Sequence, residues 1–77
     1  MSKHIADVMV HVDENLDDES LHALEDEIRG DRGVVSVGHN PGKLHLLMVT
    51  YDTEVAHPVH FVHHLRERGM HAELVGL

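Results

Sequence analysis

Two stretches of helical periodicity set among four of strand periodicity constrain this 77-residue chain more than any figure of composition. From Ile5 to Val12 the residues alternate, with Ala6, Val8, Val10 and Val12 on one side and Ile5, Asp7, Met9 and His11 on the other. A period of two belongs to a strand with one well-buried face. Acidic residues gather from Asp13 to Glu19. Asp17 is placed to cap a helix, and Leu16 with Leu21 would form a hydrophobic staple across its start. Leu21, Leu24 and Ile28 recur at i, i+3 and i+7, a narrow core stripe. Acids at the start and Arg29 near the end suit the helix dipole, and Gly30 or Gly33 ends the helix. Val34 to Gly38 is a short β-branched run, Asn40-Pro41-Gly42 a turn, and Leu44 to Tyr51 the second arm of a hairpin. Asp52 to His57 leads to a second helix with Pro58 in its first turn. Phe61, Val62 and Leu65 form its apolar stripe, and Gly69 closes it. Met70 to Leu77 alternates once more and reads as a last strand.

The order strand, helix, strand, strand, helix, strand predicts one α+β domain over residues 1–77. It is a ferredoxin-like βαββαβ sandwich, a four-stranded antiparallel sheet with two helices on one face. With Ala6, Val8, Val10, Leu47, Val49, Ala72 and Leu74 turned to the helices, the other parity carries Ile5, Met9, Leu44, Leu46, Met48, Val75 and Leu77. That face is too apolar for a sheet surface in water, and a patch of this kind signals contact. A homodimer or a docked protein partner is its natural use, and a tail or loop folded over it is the plainer alternative.

Gly33-Val34 opening the second strand, Tyr51-Asp52 ending the third and Gly69-Met70-His71-Ala72-Glu73 entering the fourth, with Leu24-Glu25 and Ile28 on the first helix, resemble the heavy-metal-associated domain family. That family comprises small copper chaperones and the N-terminal modules of metal-pumping ATPases. The resemblance spans nearly the whole chain and implies the ferredoxin-like fold and a metal-handling role. The family's metal site is a Cys-x-x-Cys pair at the start of the first helix. Those two positions fall here on Asp17 and Ser20, which supply no soft ligand, whereas two thiolates are what favour Cu(I). Capping chemistry accounts for both residues.

The chain has no cysteine and ten histidines. Any metal chemistry therefore falls to imidazole and carboxylate, and disulfides are excluded. The formal charge is −8 with neutral histidines, and ten added protons would carry it to +2. An acidic chain with six scattered Lys and Arg opposes nucleic-acid binding. The N-terminal residues carry no apolar h-region, and no apolar run is long enough for a membrane span. A cytoplasmic protein is expected.

His60, His63 and His64, with Glu67 a turn on, stand opposite the apolar stripe of the second helix. His60 and His64 have the i, i+4 spacing that lets two imidazoles converge on one ion, with Glu67 or His63 as a third ligand. Such a site suits copper(II), nickel(II), cobalt(II) or zinc(II). The alternative is a row of solvated polar residues. His11 and His71 form a second candidate pair, on neighbouring antiparallel strands of the open face, beside Met9 and Met48. Their plainer reading is polar residues at a strand edge, and methionines are more often packing residues than ligands. His39 and His45 flank the turn as solvated hairpin-end residues, His57 is placed to cap the second helix, His22 lies on the outer face of the first, and His4 is near a terminus. No nucleophile with a base beside it and no phosphate-binding glycine loop is present, so the chain is read as no enzyme. Three readings follow: a metal-handling module with histidine ligands and a metal-handling partner, an interaction or homodimerisation module, and a small-molecule sensor.

Overall fold

In the computed structural model, residues 4–40 and 42–75 are described, with only the backbone of residue 44. The elements are β1 (Ile5–Val12), α1 (Asp18–Arg29), β2 (Val34–Asn40), β3 (Lys43–Asp52), α2 (Pro58–Glu67) and β4 (Ala72–Val75). The strands make one antiparallel sheet in the order β2-β3-β1-β4. The chain thus has an α+β fold. Among the described residues no helix is long and apolar enough to cross a membrane.

Local chemistry sets the element ends. The Asp17 carboxylate accepts the backbone N–H of Ser20 at 2.8 Å, which satisfies a donor that the first helical turn leaves free. Pro58 opens α2, where its missing N–H costs nothing. His57 does stand at the N-cap of α2, but its ring makes no capping hydrogen bond. Gly69, at φ +86°, follows α2 in the left-handed conformation that ends helices. Gly33 lies at φ +90°, and a Cβ there would meet Val55 Cγ1 at 2.9 Å, so both its backbone angle and its close approach to the loop before α2 require glycine.

Both helices feed one core. Leu21, Leu24 and Ile28 from α1 and Phe61, Val62 and Leu65 from α2 pack with Val8, Val10, Val12, Leu47 and Val49 of the sheet. Tyr51 and Phe61 meet edge to face at 5.6 Å, a favoured aromatic geometry. Two expectations need correction. Leu74 pairs with Val10 and so has the helix-side parity, yet it stays 41% exposed, because it lies on an edge strand beyond the cover that buries Ala72. The last strand begins later than its alternation suggests, at Ala72, with Met70 and His71 leading into it. Pro41 of the turn and the side chains of Leu44 and Leu77 on the open face lie outside the described residues.

Leu47 and Leu74 therefore share a parity but differ in burial. Leu47→Ala is expected to cost about 2–5 kcal/mol, the range for emptying a packed leucine site. Leu74→Ala should cost under about 1 kcal/mol, in keeping with less apolar area removed. Urea unfolding followed by circular dichroism separates the two, and equal losses would contradict this packing.

Candidate functional site

Histidines provide most of the charge partners for this acidic surface. His4, His11, His22, His39, His63, His64 and His71 each bring a ring nitrogen within 3.5 Å of a carboxylate oxygen. The chain has 14 Asp and Glu against six Lys and Arg, so imidazoles take the places that basic side chains would otherwise fill.

On α2, His60, His63, His64 and Glu67 line one shallow cleft of about 390 Å³ together with Asp31 and Arg32. Within it the imidazoles have separate partners. His63 Nε2 lies 3.1 Å from Glu67 on the solvent side. His60 meets the ring of His57 edge on at 5.5 Å. His64 does not look out to solvent as its helical position predicts. It is half-buried, its Nδ1 3.1 Å from Asp31 and its Nε2 3.4 Å from Glu27. Position 64 follows Phe61 by three residues, so it flanks the apolar stripe and faces the end of α1. Arg68 pairs with the same Glu27. Glu27 Oε1 is buried without a hydrogen bond, the His64 approach being too long or oblique to make one.

His11 and His71 keep separate carboxylate partners. Glu73, not His71, pairs with His11 across β1 and β4. The His11 ring lies 3.2 Å from Asp13 and stacks on His45 at 6.0 Å. His45 Nδ1–H donates to the Val12 carbonyl at 2.9 Å, since a carbonyl can only accept. His71, just before β4, donates from Nδ1 to Glu14 at 2.6 Å and from its backbone N–H to the same carboxylate at 2.9 Å. Among the described residues no group of three His, Asp or Glu side chains is placed to hold a metal ion.

The sequence reading missed one cluster. Glu25 of α1 is buried, and His39 of β2 donates from Nδ1 to its Oε2 at 2.5 Å. His22, one turn earlier on α1, brings Nδ1 to 3.5 Å from Oε1. His39 is thus mostly buried, with its side chain 15% exposed, where a solvated hairpin-end residue was expected. The sequence did carry a signal for this. Glu25 lies four residues after Leu21 and three before Ile28, inside the core stripe, where a carboxylate needs a partner.

The bare sheet face bears an apolar row. Val75, Met9 and Met48 are direct cross-strand neighbours on β4, β1 and β3, and Gly38 continues the row onto β2. Met48 is 48% exposed, and a Cβ on Gly38 would meet nothing within 4 Å. A hollow of about 610 Å³ opens there, with Met9, Leu46 and Met48 among its apolar residues and Ser36, Thr50 and Lys43 among its polar ones. Thr50 Oγ1 donates to Asp7 at 2.7 Å beside the row. No protein-family model matches this chain, and no curated protein matches it either.

The Glu14–His71 contact has a defined pH signature. The hydrogen bond from His71 holds the Glu14 carboxyl below its ordinary value of 4.5, and the same bond raises His71 above 6.5. The raised imidazole contributes fully below pH 6.5 and loses its contribution as pH climbs through its elevated value. The lowered carboxyl contributes fully above pH 4.5 and loses its contribution as pH falls through its depressed value. The tie between the β1 exit and the β4 entry is therefore strongest between pH 4.5 and 6.5. Glu14→Gln should bring the His71 midpoint down toward 6.5 in an NMR titration. A midpoint unmoved by the substitution would show that this contact is absent in solution.

Proposed function

We propose that this chain is a non-enzymatic interaction module that pairs with a second copy of itself through the bare face of its sheet. The observation that carries this reading is the Val75–Met9–Met48 row, an apolar band lying across three strands with its methionines reaching solvent. Methionine suits such a surface because its flexible thioether adapts to an opposing side chain. A two-fold axis along the row would lay the band on itself, as isologous contacts require. Asp7 and His11 stand two residues either side of Met9, so that axis also sets Asp7 of one copy opposite His11 of the other, with opposite charge once the imidazole is protonated. The β2-β3-β1-β4 order and the helices' shared core support a ferredoxin-like arrangement, in which one sheet face remains free.

Light scattering after size exclusion tests the pairing. The unmodified chain should elute as a dimer, and Met48→Glu, at an exposed position, should lower dimer affinity about tenfold or more by burying an unpaired charge. Circular dichroism should show the fold retained. A monomer at every concentration reached, before and after substitution, would end this reading.

One observation favours a second role. His60, His63, His64 and Glu67 line a single cleft, which supports handling of a copper(II), nickel(II), cobalt(II) or zinc(II) ion on α2, or exchange of that ion with a metal-handling partner. Calorimetric titration should then give a near-stoichiometric event that His60→Ala combined with His63→Ala removes. Both residues are exposed, so the fold is spared. Binding unaltered by that pair of changes would exclude the cleft.

A further inference from the structure

Among the described residues no carboxylate lines the hollow at Gly38, although the chain carries 14 Asp and Glu and a formal charge of −8. The smaller clefts differ, with Asp13 and Glu73 lining one and Asp31 and Glu67 the other. The fixed charge of the hollow is Lys43. Arg29 and Arg68 pair with carboxylates, and among the described residues Lys43 does not. A break in strand pairing puts Lys43 there. His39 of β2 faces Leu47 but Asn40 faces Lys43, so Leu44, His45 and Leu46 bulge out of the β3 register. Bulges of this kind re-aim side chains. Asn40 Oδ1 accepts the Gly42 N–H at 3.0 Å, which leaves the amide N–H groups of Asn40 as donors beside Lys43. Asp7, on the same sheet face, stands toward the other end of β3 and already accepts from Thr50 at 2.7 Å.

We propose that this hollow binds a small molecule with a straight apolar chain and a terminal carboxylate. The carboxylate meets Lys43 and Asn40, and the chain lies over Gly38, Met48 and Met9. With no arginine or second lysine among the described lining residues, Lys43 matches a head of one negative charge and not a phosphate of nearly two. At about 610 Å³ the hollow has the size of small-molecule sites, which are mostly apolar with a few polar groups that fix orientation. Gly38 makes the room. A Cβ there would meet nothing within 4 Å, and its backbone is outside the left-handed region, so local geometry does not call for glycine. From β2 across β3 to β1 the floor spans two strand spacings, roughly 10 Å, about the reach of an eight-carbon chain. The thioethers of Met9 and Met48 adapt to a flexible chain. The site is complete in one copy and so goes beyond the pairing of two; a second copy on the same band would cover the bound chain.

Octanoate titrated into the whole chain by calorimetry, with the backbone N–H signals followed by NMR, tests this site. One octanoate should bind per chain and move the signals of Gly38, Lys43 and Met48. Octanol, which keeps the chain and loses the charge, should bind about fivefold more weakly, the upper range for an exposed ion pair. Octylamine should bind more weakly still. Lys43→Met should bring octanoate down to the affinity of octanol and leave octanol unmoved, since Lys43 is exposed and its loss spares the fold. Gly38→Leu should fill the hollow and abolish binding of both, with circular dichroism unchanged. Light scattering on the same samples keeps pairing apart from binding. Octanoate bound by the chain in either association state supports the site even where pairing fails. Octanoate held no better than octanol or octylamine, shifted signals centred elsewhere, or binding that survives Gly38→Leu would each overturn the proposal. So would an absence of octanoate binding together with an association state changed by Gly38→Leu, which would give the hollow to a second copy.

Discussion

One thin apolar layer between two helices and a single face of the sheet holds this chain together. It is built almost wholly from aliphatic side chains, with Phe61 and Tyr51 as its aromatic contact. No disulfide supplements it. A core of this size yields a small net stability, so features that keep the layer closed have large effects. The Asp17 cap fixes where α1 begins, Gly33 lets the chain pass close under Val55, and Pro58 starts α2. Among the described residues no helix covers the opposite sheet face, and Met9 and Met48 occupy its centre.

The perimeter of that layer is electrostatically unusual. Carboxylates outnumber fixed cations, and the imbalance is met by imidazoles placed against them. An imidazole is charged only near and below its titration range, about pH 6.5 in a model peptide. The long-range tie from Glu14 to His71, whose imidazole pKa is raised by the carboxylate beside it, thus acquires ionic character on mild acidification. The histidine content, which in the bare sequence points toward metal, is in most positions a set of imidazoles set against carboxylates.

What the sequence made legible was local. The alternation of Ile5–Val12, the cap at Asp17, the Leu21–Leu24–Ile28 stripe and the Pro58 start each depend on neighbours a few residues away, and each stands where its pattern placed it. What it hid was set by distant segments. Leu74 has the inward parity, but parity does not say that a strand is at the edge. His64 has a solvent-side helical position, but only the placement of α1 reveals Asp31 and Glu27 beside it. Glu25 was readable as an acid inside an apolar stripe, while its partner His39 comes from 14 residues further along, after α1 has ended. Convergence of side chains from different elements, as in Glu25 with His39, leaves no spacing rule in the chain.

One border of the sheet carries a last consequence. β2, an edge strand, loses register at Val34/Ser36 and again at His39/Asn40. Irregular borders offer poor templates for strand addition. Growth by adding one sheet edge to another, the route to open-ended fibrils, is therefore discouraged at the β2 border.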